Sequence, residues 1–354
     1  MDEIAFGLFD HVERLDIPLE HLYEGRMKLL EVADAAGFFC YHVAEHHMTP
    51  LGMAPSPGIY LAAVAQRTHR MHFGPLVYLL PLYNPLRLIN EIGMLDQMSG
   101  GRFEIGVGRG VSPYELAHYR IPFYESRDMF LEALSVVAAG LRHDHLTHRG
   151  HYYQYDGVPM EVRAKQTPNP PFWYGAANED GVTFAAERGM HVVGNGPIPM
   201  LKKLTAHYGE MREKHRKSDQ NLNPHIAAPR RGAIRHIYVA DNDHEAEEIA
   251  RPAYRVYYNN LMKLWRDNRV ILPQFAEDFD RARKIDVAIC GSPATVRGEV
   301  ERFFAGSGCN YLVLSFAWGS LTNEQSRRSL GLFAAEVMPA FTKGAAATVN
   351  AAAS

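Results

Sequence analysis

Short apolar runs alternate with longer segments of helical period along nearly the whole chain, and that alternation limits the fold more than any other feature. The runs fall at 4–9, 38–44, 72–80, 102–107, 172–176, 191–193, 234–239 and 311–316. Helix-like segments follow at 19–36, 58–67, 85–98, 129–141, 182–188, 200–217, 295–305 and 323–337. Strands separated by helices pair in parallel. A parallel sheet is covered on both faces, so its strands read as unbroken apolar runs. Eight βα units predict the α/β architecture of a (βα)8 TIM barrel. A doubly wound open sheet is the alternative, because strand number alone does not require closure.

Two connections exceed the short loops of such a barrel. In 146–171, Tyr153 and Tyr155 alternate with polar neighbours before Asp156-Gly157, which predicts a hairpin laid across the C-terminal mouth. The stretch 251–286 mixes Tyr254, Tyr257, Tyr258, Trp265 and Phe275 with charges and reads as a lid, with helical decoration or an oligomer contact as the other reading. One barrel domain is expected over 1–343, with a flexible tail at 344–354.

Composition removes several classes of function. The chain is 47% hydrophobic and 22% charged, ordinary for a globular protein with a large core. A net charge of −3 with scattered basic residues leaves no nucleic-acid footprint. No apolar run reaches membrane-spanning length, and neither a span nor a secretory signal is expected. The cysteines, Cys40, Cys290 and Cys309, are too few for a disulfide framework and fit a reducing cytoplasm.

In a parallel barrel the loops after the strands converge on one mouth, where ligands bind. The run 38–44 leads there into Glu45-His46-His47. Adjacent strand residues face opposite sides, so the two imidazoles are not expected to share a metal. A capped, hydrogen-bonded pair without a catalytic task is the plain alternative.

Further along, RFEIGVGRG (102–110) sets Gly106, Gly108 and Gly110 around Arg109: missing Cβ atoms let a ligand approach the backbone, and the guanidinium offers a fork to an anion. Arg127 lies at the start of the following helix. The loop Gly175, Ala176, Ala177, Asn178 to Gly181 bares amide groups where another helix begins, a natural anion site. Glu179 and Asp180 there also suit first-turn acids that merely complement the helix dipole.

Taken in order, Glu45-His46-His47 with Thr49 and Gly52, Leu80-Pro81, Asn84-Pro85-Leu86-Arg87, Leu95-Asp96-Gln97-Met98-Ser99, Gly101-Arg102-Phe103 and Gly108-Arg109-Gly110 make the chain resemble the bacterial luciferase-like flavin monooxygenases. Weaker matches follow at Ala185-Ala186 with Gly189, at Gly291-Ser292-Pro293 and at 333–339. The resemblance implies a barrel that uses reduced FMN, supplied by a separate flavin reductase, and dioxygen to oxygenate a hydrophobic organic substrate through a flavin C4a-peroxide. It implies His46 as the acid–base residue, and strand geometry, which turns His47 to the other face, reads His47 as structural. It also implies Arg109, Arg127 and the 177–181 loop at the phosphate, and Leu76-Val77 as a cis peptide beneath the flavin ring. A homodimer is implied as well. Two departures stand out: Gly108 replaces the reactive cysteine of luciferases, and Ala177-Asn178 replaces an acid and a serine, so light emission is not expected. Tyr78, Trp173, Trp318 and the lid tyrosines suggest an apolar pocket.

Three other readings stay open: hydride transfer with deazaflavin F420 on the same barrel, a metal-dependent hydrolase using both histidines, and a flavin-binding protein without catalysis.

Overall fold

A computed structural model describes residues 3–270, 272 and 275–342. Its strands are β1 (Ala5–Asp10), β2 (Cys40–Val43), β3 (His72–Pro75), β4 (Tyr78–Leu79), β5 (Ile105–Gly108), β6 (His145–Arg149), β7 (Gln154–Pro159), β8 (Phe172–Gly175), β9 (His191–Gly194), β10 (Arg231–Val239), β11 (Ala288–Gly291) and β12 (Tyr311–Ser315). Hydrogen bonds link them in the order β3, β2, β1, β12, β10, β9, β8, β5, β4, with every neighbouring pair parallel. The two ends of that path, β3 and β4, are halves of one stave separated by Leu76 and Val77, whose peptide is cis. A parallel bridge from Phe73 to Phe103 draws the ring together at this point. The result is a nearly closed parallel barrel of the TIM type, and the open-sheet alternative falls.

The strands are buried on both faces, as their sequences require. Inward-facing Ala5, Phe9, Ala44, Leu76, Trp173, Val193, Tyr311 and Val313 form the barrel interior. Outward-facing residues such as Phe6, Leu8, Tyr41 and Val43 pack under the helices. Each fully buried side chain of this size contributes about 1.5–3 kcal/mol of transfer free energy. At Gly106 a Cβ would lie 2.0 Å from the Pro75 carbonyl oxygen, and at Gly108 2.4 Å from Val77 Cγ2. Glycine at both positions lets β5 lie directly against the broken stave. Helix starts follow local chemistry: Asn84 accepts the Arg87 N–H ahead of the helix Pro85–Met98, and Thr322 with Gln325 forms a capping box.

Several boundaries differ from expectation. The insertion begins earlier than 251, because Asn242 caps a helix that runs Asp243–Leu261 with Pro252 inside it. It continues through the helices Lys263–Asp267 and Phe279–Lys284, and ends in β11, which pairs with the upper half of β10. Ile271, Pro273 and Gln274 of the insertion, and the tail at 344–354, lie outside the described residues. Tyr254, Tyr257, Phe279 and Trp318 give the insertion its own apolar cluster.

Asn260 Nδ2 donates to Glu13 at 2.7 Å and Trp265 packs edge-on to Tyr114, so the insertion is tied to loops of the mouth. The β6–β7 hairpin does not lie across the mouth. The Glu132 carboxylate accepts the N–H groups of His151, Tyr152 and Tyr153, which fastens the hairpin to the outer helix Ser126–Arg142. Among the described residues no helix is long and apolar enough to cross a membrane.

Candidate active site

A cavity of about 380 Å³ opens at the carboxyl ends of the strands. The residues after β2 and β5, those at the ends of β8 and β9, and the break in the split stave supply its walls, with Phe9 and Ile234 exposed to it from the interior. His46, Leu76, Val77, Gly108, Arg109, Gly175, Ala176 and Ala177 meet here. Arg127, Asn178 and Gly181 do not line it. Arg127 is exposed on the first turn of its helix. Asn178 Oδ1 accepts the Gly181 N–H at 2.9 Å, so that pair caps the helix Glu179–Glu187.

His46 is 21% exposed, and its Nδ1 lies 3.1 Å from Glu115 Oε1. Glu115 belongs to the short helix Pro113–His118, is buried, and also accepts the His47 N–H at 2.8 Å. Burial pushes the Glu115 carboxyl up, but the hydrogen bonds and charges of His46 and His47 outweigh it and hold the group below the usual carboxylate range. An ionised carboxylate only accepts, so Nδ1 of His46 carries the proton and Nε2 is the nitrogen left for chemistry.

His47 faces elsewhere, with Nε2 2.8 Å from Glu45 and Nδ1 2.8 Å from the Tyr119 hydroxyl. The second oxygen of Glu45 accepts the Leu79 N–H at 3.0 Å and the Tyr83 hydroxyl at 2.9 Å. That carboxylate therefore braces β4 just beyond the cis peptide. Sequence reading missed Glu115, whose only signal was an acid in a short segment after Arg109.

The opposite wall is small and basic. Arg109 is half-buried, its guanidinium lies 4.7 Å from the Phe123 ring centroid, and it makes no ion pair among the described residues. Burial holds the Tyr174 hydroxyl above its usual range, against a smaller opposing pull from Arg109, Arg127 and Arg188. The three cations therefore act on one point of the wall. Arg188 was not anticipated, because it reads only as the end of a helix.

None of the aromatic residues expected in the pocket lines it: Trp318 donates to the Ile237 carbonyl at 3.2 Å and packs with Tyr254 and Tyr257 in the cluster of the insertion, and Tyr258 packs against that cluster. The Trp173 indole donates to Glu104 inside the barrel, and the Tyr78 hydroxyl donates to Glu91 at 3.0 Å.

A family model described as luciferase-like monooxygenase matches residues 15–310. The chain belongs to that family. An uncharacterized protein, y4wF of Sinorhizobium fredii, is 34% identical over 337 residues, covering 95% of this chain and 97% of that one. The oxygenase component of a flavin-dependent trigonelline monooxygenase from Acinetobacter baylyi is 27% identical over 363 residues, with 96% of each chain covered.

Among solved structures, monooxygenase RslO1 of Streptomyces bottropensis superposes with a TM-score of 0.85 at 24% identity, covering 96% of this chain and 100% of that one. The oxygenating constituent of 3,6-diketocamphane monooxygenase from Pseudomonas putida, a type II Baeyer–Villiger monooxygenase in complex with FMN, gives 0.77 at 22%, covering 95% and 98%. The F420-dependent tetrahydromethanopterin reductase of Methanopyrus kandleri gives 0.72 at 18%, covering 96% and 100%. At these identities the structural likeness is one of fold.

The luciferase-like cavity also suits a flavin by its own geometry. A Cβ added at Gly175 would meet nothing within 4 Å, so the wall there is open to a ligand. Beside it stand Ala176 and Ala177, and Arg109, which has no carboxylate partner among the described residues. This combination of bare backbone and unneutralised cation fits a phosphate.

Proposed function

We propose that this luciferase-like protein is the oxygenase component of a two-component system that uses reduced FMN, delivered by a separate reductase, and dioxygen to oxygenate a hydrophobic organic substrate. The observation that carries this reading is the convergence of His46, the cis Leu76–Val77 peptide, Arg109 and the 175–177 loop on one cavity. Bound reduced flavin supplies the electrons that activate dioxygen.

Each part of the wall then has a task. Arg109, assisted from the rim by Arg127, holds the phosphate against the small-residue loop. Leu76 and Val77 support the ring face. His46, fixed by Glu115, moves a proton at Nε2, and the apolar lining of Phe9, Leu79, Val111, Val193 and Ile234 excludes water and receives the substrate. The protein acts in the cytoplasm as a homodimer. Its described cysteines, all free and buried, suit that compartment.

Anaerobic titration with reduced FMN, followed by mixing with oxygen in the presence of a substrate panel, tests the reading. Reduced FMN should bind, and a substrate should lower the hydrogen peroxide released per oxygen consumed. No binding of reduced FMN would remove the reading. Hydride transfer with F420 is the second reading, supported by the barrel shared with an F420-dependent reductase. Anaerobic reduction of F420 by an organic donor would establish it instead.

A further inference from the structure

Across the mouth from Arg109, a set of polar side chains has no counterpart in the function assigned so far. Strand periodicity places it. Phe9 and Ile234 face the interior and line the cavity. Two residues further on, His236 therefore faces the same way, one step nearer the mouth, and the His11 ring, just past the end of β1, lies against those of Phe9 and His46; both stand behind Tyr257, next to the cavity lining and not in it. Ser315 of β12 stands between them in the sheet and is the register partner of His236. All three are buried.

The Oγ of Ser315 and the Nε2 of His236 are buried and have no hydrogen-bond partner among the described residues. The His11 ring lies 5.5 Å from that of His46 and 4.8 Å from that of Phe9. Directly after it, Val12 is held at φ +51°, a conformation that β-branched residues rarely adopt, by a hydrogen bond from its N–H to Asp10. The Tyr257 ring of the insertion covers the group, 4.1 Å from His236 and 6.0 Å from His11.

Buried polar groups without partners are rare in native proteins, and at the edge of a ligand cavity they mark positions that a ligand satisfies. We propose that His11, His236 and Ser315 form the polar end of the substrate pocket, where they donate hydrogen bonds to the oxygen of a neutral carbonyl compound once Tyr257 swings aside. The choice of a neutral acceptor follows from the groups present. Burial, reinforced by neighbouring positive groups, pushes both imidazoles down, His236 to about 3, so each is uncharged and offers one N–H. Among the described residues no ion-pairing cation contacts the three groups to receive a carboxylate, and His11 lies beside His46, the acid–base residue of the proposed oxygenation. The inference rests on the flavin-oxygenase reading of the same cavity and adds its substrate class.

The test uses the full chain loaded with oxidised FMN and a panel of cyclic and bicyclic ketones, each paired with its exocyclic-methylene isostere. Ligand-observed NMR gives both affinities, and flavin fluorescence gives FMN affinity in the same samples. At least one ketone should bind about tenfold or more tighter than its isostere. That preference should fall several-fold in Ser315→Ala and collapse in His236→Phe, while His236→Gln, which keeps a donor, should retain most of it. FMN affinity should stay within about twofold throughout, as no phosphate-side group is touched. A panel without ketone preference, or a preference that survives Ser315→Ala combined with His236→Phe, overturns the proposal. Failure of FMN to bind at all would instead strike the flavin reading beneath it.

Discussion

Replacing Arg109 by alanine should separate the phosphate site from the rest of the cavity. Its guanidinium is half-buried against Phe123, has no carboxylate to neutralise it among the described residues, and reaches the lining next to Gly108 and Gly110. A charge-assisted hydrogen bond in such a setting contributes about 1.5–3 kcal/mol, or roughly ten- to hundredfold in affinity. Arg127 is exposed and screened by solvent, so Arg127→Ala should cost about 1 kcal/mol or less, up to fivefold. Riboflavin has the same ring and no phosphate. Its affinity should change less than about twofold in either variant, since both substitutions leave the ring contacts intact. Fluorescence titration of FMN and riboflavin against wild type and both variants, at two salt concentrations, reads the whole pattern. FMN binding by wild type should weaken with salt, and the slope should shrink most in Arg109→Ala. Equal losses for FMN and riboflavin, or a larger loss in Arg127→Ala than in Arg109→Ala, would refute the assignment of the anion to this wall.

Other perturbations read other parts of the molecule. His46→Ala should leave reduced-FMN affinity within a few-fold while oxygen consumption yields hydrogen peroxide in place of product; coupled turnover in that variant would remove His46 from the chemistry. Glu115→Gln should lower kcat about tenfold or more with little change in flavin affinity, because it acts through His46, and an unchanged pH–rate profile would show that it does not. Burial depresses the imidazoles of His42 and His191 to about 4. Both are neutral when folded and take up protons more readily when unfolded, so their contribution is intact above about pH 6.5 and is lost as pH falls toward 4, about 2 kcal/mol each by pH 5. Urea unfolding midpoints at pH 7, 6 and 5 should fall accordingly, and less steeply in His42→Gln; identical slopes would mean that His42 is not the source. Gly106→Ala drives a Cβ against the Pro75 carbonyl and should cost about 3 kcal/mol or more, whereas Gly108→Ala presses on the Val77 side chain and should weaken flavin binding more than stability. Matching thermal midpoints for the two variants would count against that division.

The positions of the barrel strands were legible because parallel strands bury both faces and therefore read as apolar runs. The cis peptide in the third stave was legible only through the family resemblance, since nothing in the composition of Leu76-Val77 marks it. Short elements escaped. The four residues of β11 carry too little pattern to separate them from the insertion before them, and Pro252 lies inside a helix where a proline reads as a boundary. His46 and Arg109, which line the cavity, stood out in the sequence because polar residues at strand ends have few structural reasons to be there. Glu115 did not, because its partnership with His46 spans 69 residues and exists only once the barrel brings the loops after β2 and β5 together. Asn178 misled in the other direction: the same side chain that suits an anion loop also suits an N-cap, and here it caps.

Buried carboxylates explain why the mouth holds its shape, and their charge states divide it into two parts. Asp10 is paired with Arg26 at 2.9 Å and accepts the Val12 N–H. Glu45 joins His47 to Leu79 and Tyr83, and Glu115 joins His46 to the backbone of His47. A buried charge rarely adds net stability, because desolvation offsets the attraction, so its use here is to fix one loop relative to another. Glu13 belongs to the same ring of groups but holds the insertion, accepting from Asn260 and from the Gly319 N–H at 2.6 Å. Burial pushes its carboxyl up to about 7 despite those donors. Both partners donate, so they favour the ionised form. The tie between insertion and barrel thus strengthens as pH rises through neutrality and loosens as it falls, whereas Glu115, held below the usual range, keeps its grip on His46 across the same interval.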